Sequence, residues 1–199
     1  MRLTSHLALM LLSLGVAGYA LVVYGLLPLG IGLHPDMRAT FEAQRIGIYA
    51  HVFAAVFTLV LGPFQFSTRL RAARPHLHRW MGRLYLGIGV LVGGLAGLYM
   101  AFFAFGGPVA RLGFGLLALG WLYTGLRAYL AIRARQVVEH RRWMVRNYAL
   151  TFAAVTLRLW LPASFAAGLP FELAYPVIAW LCWVPNLLVA ERMLQPRPA

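Results

Sequence analysis

The chain contains no lysine, because all 18 of its basic residues are arginine. This absence excludes both a phosphate-loop lysine and a Schiff-base lysine. Its single cysteine, Cys182, excludes an intrachain disulfide, an iron–sulfur cluster and a zinc ribbon. Charged residues make up only 12% of the chain, whereas a soluble domain carries about 25%. Together with a hydrophobic content of 61%, this low charge excludes a disordered chain, a coiled coil and an ordinary cytosolic domain.

What the chain has in abundance is apolar sequence: 61% of its 199 residues are hydrophobic, and its mean hydropathy is +0.73. About 20 helical residues cross the hydrocarbon core of a bilayer. The sequence therefore predicts an all-α bundle of six membrane spans, forming a single integral-membrane domain over residues 1–199. The predicted spans are Leu7–Leu29, Ile46–Phe66, Met81–Phe105, Leu112–Ile132, Trp143–Phe165 and Leu173–Ala190. The first stretch is longer than the core of a signal peptide, so we interpret it as a retained helix.

The net charge of +13 comes largely from two loops, which follow the second and fourth predicted spans. These loops contain Arg69, Arg71, Arg74, Arg79, Arg133, Arg135, Arg141 and Arg142. The positive-inside rule places them in the cytoplasm, together with both termini and the terminal residues Arg2 and Arg197. We expect a bacterial inner-membrane protein whose partner is the lipid bilayer, with no nucleic-acid partner. A homo-oligomer and a complex with another membrane subunit are both open.

One motif occurs twice, at the predicted entries of the third and fifth spans. Trp-Met-x-Arg-x-Tyr begins at Trp80 and again at Trp143, and a His-Arg pair lies upstream of each copy at His78 and His140. Both copies enter the membrane from the same face, which indicates repeated parallel helical hairpins. The alternative is convergence, because tryptophan and arginine are both common at membrane interfaces.

Two spans carry polar residues on one helix face. His51, Thr58 and Gln65 are seven residues apart on the second span. His140, Asn147, Thr151 and Arg158 follow intervals of seven, four and seven on the fifth span. Ionisable groups at membrane depth are costly, so each one is a candidate functional residue. The alternative is that these groups only form hydrogen bonds between helices.

Helix depth divides these candidates into two clusters. His51 and Arg158 lie near the outer boundary, where we expect an outward-facing ligand pocket for an anion or a lipid. We expect Gln65, Asn147 and Asn186 to contribute to ligand binding as well. The inner cluster contains Gln65, His76, His78, Arg83, His140, Arg146, Asn147, Asn186 and Glu191.

Small residues and prolines predict how the helices meet. Gly89, Gly93 and Gly97 form a small-residue stripe on the third span, which is typical of a helix–helix contact. Pro185 precedes Asn186 and is expected to interrupt the sixth span, which frees a backbone carbonyl.

The most concrete chemistry that this pattern indicates is haem binding. A bis-histidine haem b needs two imidazoles on facing helices at equal depth, and His78 and His140 are predicted to meet that condition as iron ligands. Arg79, Arg83 and Arg146 are the candidates for binding the propionates. The predicted function is then electron transfer in a protein similar to a b-type cytochrome.

Two alternatives remain open. One is a transporter or binding protein for a small anion or lipid that uses His51 and Arg158. The other is an accessory membrane subunit that carries no chemistry. The sequence leaves open whether the protein is an enzyme, and it identifies no catalytic residue.

Four segments carry a resemblance to a known family. They are Gly62–Phe66, Leu77–Tyr85, His140–Arg158 and Cys182–Asn186. From about His51 onward, the chain resembles the bacterial membrane-protein family catalogued as domain of unknown function 2306. The resemblance implies a multipass membrane protein and no established activity or catalytic residue. The hairpins with interfacial histidines are also similar in architecture to cytochrome b-type and ferric-reductase-like membrane domains.

Overall fold

The computed structural model describes residues 3–195, with the side chains of residues 6–195. Regular structure in this part of the chain is helical throughout, with no strand. Six of its helical stretches are long and apolar enough to cross a membrane, which confirms the predicted all-α, six-span architecture. The six spans are His6–Gly25, Arg45–Gln65, Pro75–Ala101, Gly107–Arg133, Val137–Ala166 and Phe171–Leu194. Arg2 and Arg197, used above for the predicted topology, lie outside the described residues.

The chain divides into two compact units, Met1–Phe105 and Gly106–Ala199, each containing three spans. That both units act as a single domain stays a prediction from the sequence. In unit 1, the helices of the first two spans are continuous, and a short helix that begins with Pro35 lies between them. The helices of unit 1 are α1 (Leu3–Gly25), α2 (Pro35–Ala43), α3 (Arg45–Gln65), α4 (Thr68–Ala73), α5 (Pro75–Leu84) and α6 (Gly93–Ala101).

The third span contains a change of helix type. A π-helical segment, Tyr85–Val92, connects α5 to α6 without a break in the span. A π-helical turn contains one more residue than an α-helical turn, so it shifts the register of every residue beyond it. This shift matters for the helix contact described below.

In unit 2, the fourth span is continuous and the fifth and sixth are each interrupted. The fifth span is interrupted at Phe152, and the sixth at Cys182 and Trp183. The interruption of the sixth span precedes Pro185, as the sequence predicts. The helices of unit 2 are α7 (Gly107–Arg133), α8 (Val137–Thr151), α9 (Ala153–Ala166), α10 (Phe171–Leu181) and α11 (Val184–Leu194).

The predicted boundaries of every span but the second are wrong by four or more residues at one end or both. The fourth span begins at Gly107 instead of Leu112, and the sixth ends at Leu194 instead of Ala190. The first helix ends at Gly25 instead of Leu29, because a turn begins before Pro28. The third and fifth spans begin at Pro75 and Val137, six residues before the predicted starts. Both copies of the tryptophan motif therefore lie inside helices. The arginines before each copy made these segments too polar to be predicted as membrane-embedded, but arginine is a good helix former.

Candidate functional site

The polar stripe of the second span packs against the glycine stripe of the third. The imidazole of His51 fills the space beside Gly97, so that a Cβ on that glycine would lie 2.7 Å from His51 Nδ1. The methyl group of Thr58 occupies the corresponding space at Gly89. His51 Nδ1 also donates a hydrogen bond to the carbonyl oxygen of Gly93 at 2.8 Å. The predicted glycine contact is thus confirmed, and its partner is the polar face of α3.

Gln65 extends this pattern to the end of α3. Its Oε1 lies opposite Gly82, where an added Cβ would be 3.3 Å away. From His51 to Gln65 the second span advances 14 residues, whereas from Gly82 to Gly97 the third advances 15. A π-helical turn inserts one extra residue. The π-helical segment therefore keeps the glycines of the third span opposite the polar residues of the second.

The second polar stripe packs against the fourth span through hydrogen bonds. His140 Nδ1 donates to the carbonyl oxygen of Ala128 at 2.8 Å. The fully buried Asn147 donates from Nδ2 to the carbonyl oxygen of Trp121 at 2.8 Å and to Thr124 Oγ1 at 2.9 Å. The Trp121 indole donates in turn to Thr151 Oγ1. Every buried polar group on this stretch therefore has a partner, as the interior of a membrane protein requires.

Asn186 lies where the interruptions of the fifth and sixth spans meet. Its Nδ2 donates to the Cys182 carbonyl at 2.9 Å, to Thr156 Oγ1 at 3.1 Å and to the Ala149 carbonyl at 3.3 Å. The Thr156 hydroxyl donates to the same Cys182 carbonyl. The carbonyl oxygens of Ala149 and Cys182, near the two interruptions, thus accept hydrogen bonds from side chains of unit 2.

The two motif copies adopt the same local arrangement. In each copy the arginine lies over the ring of the tryptophan three residues earlier, with Cζ 5.9 Å from the Trp80 centroid for Arg83 and 4.7 Å from the Trp143 centroid for Arg146. The tyrosine of each copy is buried. This shared geometry supports the interpretation of the motif as a repeat.

The copies differ in charge pairing. Arg146 forms a two-bond ion pair with Glu191, from Nε to Oε1 at 2.6 Å and from Nη2 to Oε2 at 2.8 Å. Arg79 and Arg83 in unit 1 are exposed to the surroundings, and neither forms an ion pair within the described residues. Arg146 is therefore already engaged by a carboxylate, whereas the two unit 1 arginines are available to an acidic group.

Arg158 is half-buried, and its Nη1 donates to the carbonyl oxygen of Ala154 at 2.8 Å. It belongs to unit 2, and His51 belongs to unit 1. The proposed outward-facing pocket formed by these two residues therefore stays a prediction. The same holds for the inner cluster, whose members are divided between the units.

Sequence reasoning missed Arg127. It lies inside the fourth span, where it lines a pocket with Trp143 and Glu139. Its guanidinium Cζ is 4.6 Å from the Trp143 ring centroid. A lone arginine within an apolar span was the available signal, and it is the same signal that identified Arg158.

The two histidines predicted as iron ligands lie just before the tryptophan motifs. Both His78 and His140 are half-buried near the N-terminal ends of their helices, in unit 1 and unit 2 respectively. Because Nδ1 of His140 donates to a carbonyl, Nε2 of the neutral ring keeps its lone pair for a metal. The described residues contain no group of three or more His, Cys, Asp or Glu side chains that could hold a metal ion.

Residues 48–194 match the family described as "Predicted membrane protein (DUF2306)". The chain belongs to this family. The match covers most of the second span, the third to sixth spans and both motif copies, and it confirms the resemblance seen in the sequence. No curated protein and no solved structure matches the chain. The family description and the six spans therefore agree that the chain is an integral membrane protein.

Proposed function

We propose that this DUF2306 protein binds a b-type haem and transfers electrons within the membrane, with His140 as one of the residues that would hold the iron. The supporting observation is the hydrogen bond from His140 Nδ1 to the Ala128 carbonyl. Such a bond selects the tautomer whose Nε2 is a lone-pair donor and holds the ring in one orientation. Bound haem would supply reversible one-electron chemistry. His78, which precedes the other copy of the motif, is the proposed second ligand on the basis of the sequence.

Of the three arginines assigned to the propionates, Arg79 and Arg83 suit that role better. Both are exposed and have no ion-pair partner within the described residues. Arg146 would have to release Glu191 before it could bind a propionate. We therefore assign Arg146 to holding α8 against α11, and Arg79 and Arg83 to binding the acidic groups of the cofactor.

We also propose that the arginine-rich loops face the cytoplasm of a bacterial cell, with both termini on the same side. The arginines between the second and third spans and between the fourth and fifth spans support this orientation. A C-terminal fluorescent-protein fusion should fluoresce, and a C-terminal alkaline-phosphatase fusion should be inactive. The opposite pair of results would reverse the orientation.

The test of haem binding is an absorbance spectrum of the detergent-purified protein, first oxidised and then reduced with dithionite. We expect a Soret band, and α and β bands that sharpen on reduction. His140→Ala and His78→Ala should each lose these reduced bands. His76→Ala is the matched control, because this exposed histidine lies two residues from His78 on α5; its spectrum should be unchanged.

A further variant covers the case in which His140→Ala fails to fold. His140→Met supplies a different iron ligand, so it should retain haem with a shifted spectrum and a raised reduction potential. A spectrum without a Soret band, from wild-type protein expressed with ample haem, would contradict the proposal. So would identical spectra from wild-type protein and from folded His140→Ala.

A further inference from the structure

A pocket of about 230 Å³ lies in unit 2, between the C-terminal part of α7 and the start of α8. Leu130, Ala131 and Ala134 form its apolar wall. Arg127, Gln136, Glu139 and Trp143 form its polar wall. None of the residues assigned to haem binding lines this pocket. The inference therefore goes beyond the proposed function and stands or falls separately.

The cation in this pocket is held in place by aromatic side chains. Arg127 Nη1 donates to the Tyr123 hydroxyl at 2.8 Å, and its Cζ lies 5.7 Å from the Tyr123 ring centroid and 4.6 Å from that of Trp143. A guanidinium has five N–H donors, so four remain for a ligand. Within the described residues no carboxylate forms an ion pair with Arg127.

Two neighbouring arginines are already paired with carboxylates. Arg142 pairs with Glu139 at 3.1 Å, and Arg146 pairs with Glu191. Arg127, unlike Arg142 and Arg146, forms no ion pair within the described residues, and its planar donor group suits phosphate oxygens. It precedes Arg133, near the end of α7, by six residues, which is about 9 Å of helix. An exposed arginine at that depth lies close to the lipid headgroups.

The pocket also contains an acceptor for a positive group. Glu139 uses Oε1 for Arg142, and Oε2 has no hydrogen-bond partner within the described part of the chain. The pair of Glu139 and Arg142 is neutral overall, and its free Oε2 can accept a hydrogen bond from an ammonium group. A head with both a phosphate and an ammonium group would match Arg127 and Glu139 together. Leu126 and Leu130, both more than half exposed on the same helix, offer apolar surface to an acyl chain.

We propose that this pocket binds the headgroup of a phosphoethanolamine lipid, with the phosphate on Arg127 and the ammonium on Glu139. The acyl chains then lie along the exposed leucines of α7. The lipid headgroup and inorganic phosphate both contain a phosphoryl group that Arg127 could bind. Only the lipid has an ammonium group that contacts Glu139.

The test measures binding to the full-length protein in detergent by native mass spectrometry. The probes are phosphatidylethanolamine, phosphatidylglycerol and inorganic phosphate. We expect Arg127→Gln to weaken phosphatidylethanolamine binding about tenfold. Arg133→Gln is the matched control, because Arg133 does not line the pocket. Arg133 contacts Tyr129 as Arg127 contacts Tyr123, with a hydrogen bond of 2.9 Å and a Cζ-to-ring distance of 5.8 Å. This control should bind within twofold of wild type.

A second variant tests the headgroup assignment and is placed at a half-exposed side chain, where it should not disturb folding. Glu139→Gln should remove the preference for phosphatidylethanolamine over phosphatidylglycerol. Equal losses in Arg127→Gln and Arg133→Gln would overturn the site. Equal binding of the two lipids to wild-type protein would overturn the headgroup. If inorganic phosphate at equal concentration displaces the lipid, the proposal of a lipid is wrong and the pocket binds a small anion.

Discussion

Two helical hairpins bring polar side chains to a helix interface by different means. The first hairpin contains the second and third spans, and the second hairpin contains the fourth and fifth. In the first, glycines allow α3 to approach the third span closely, and the side chains of His51 and Thr58 fill the space above Gly97 and Gly89. In the second, Asn147 connects α8 to α7 through hydrogen bonds. An added Cβ on Gly120 would be tolerated there, since its nearest atom, Leu150 Cδ1, would be 3.5 Å away.

This difference teaches that one sequence motif can be built into two kinds of helix contact. Trp-Met-x-Arg-x-Tyr occurs in both hairpins, and both tyrosines are buried. In the first hairpin the contact depends on the shape of the backbone, whereas in the second it depends on hydrogen bonds between side chains and carbonyls. Added volume should therefore disrupt the first contact, and loss of a polar group should disrupt the second.

The largest effect is expected at Gly89 in unit 1. A Cβ there would clash with Thr58 Cγ2, and the Thr58 side chain is held by its hydrogen bond to the Ala55 carbonyl. We expect Gly89→Ala to lower the free energy of unfolding by about 1–3 kcal/mol. Titration with a denaturing detergent would measure it.

Gly87 provides the control for that experiment, because it lies in the same π-helical segment with nothing within 4 Å of an added Cβ. Gly87→Ala should cause no loss of stability. Thr58→Ser removes the clashing methyl group and keeps the hydroxyl, so Thr58→Ser should restore most of the stability lost in Gly89→Ala. If Gly87→Ala and Gly89→Ala behave alike, the close backbone contact is not what stabilises this hairpin.

The next largest effect is expected at Asn147 in unit 2. Asn147→Ala removes two buried hydrogen bonds, and it should lower the free energy of unfolding by about 1.5 kcal/mol. Gly120→Ala on the facing helix adds volume without a clash and should not destabilise the protein. A larger loss in Gly120→Ala than in Asn147→Ala would show that the second hairpin depends on shape, as the first does.

A smaller effect is expected for the ion pair between Arg146 and Glu191. Because the Glu191 side chain is 43% exposed, solvent screens much of this interaction, and Glu191→Gln should cost about 1 kcal/mol. Glu139→Gln breaks a more exposed pair within one helix and should cost less than about 0.5 kcal/mol. If the two variants lose the same free energy of unfolding, the ion pair between Arg146 and Glu191 does not have the structural role assigned to it.

The smallest effect is expected at Gln65. Its buried Nε2 has no hydrogen-bond partner within the described residues. Replacing an unsatisfied polar group by an apolar one of similar shape is close to neutral, so Gln65→Met should change the free energy of unfolding by less than about 0.5 kcal/mol. A marked destabilisation would instead show that Nε2 is satisfied in the membrane by a water or ligand.

The sequence predicted the features that depend on spacing. Six apolar stretches, two polar stripes and the glycine stripe can each be recognised from intervals along the chain. The structure confirms them except for Arg158, which lies beyond the interruption at Phe152 and donates to a carbonyl of its own helix. The interruption near Asn186 follows from Pro185, because proline lacks the N–H of a regular helix.

Features that depend on packing were not predictable in the same way. The π-helical segment Tyr85–Val92 has no signature in hydropathy, since its only visible consequence is the extra residue between Gly82 and Gly97. The role of Arg127 depends on its neighbours Tyr123 and Trp143, and the latter comes from another helix. The pairing of Arg146 with Glu191 joins residues 45 positions apart, and no local pattern encodes it.

The measurement that tests the central claim most directly is the haem content of the purified full-length protein, determined by the pyridine haemochrome assay against protein concentration. The account predicts one haem b for each chain in the wild type. It predicts less than a tenth of that amount in folded His140→Ala and the full amount in His76→Ala. A wild-type protein expressed with ample haem that contains none, or a His140→Ala variant that retains the full amount, would contradict the account.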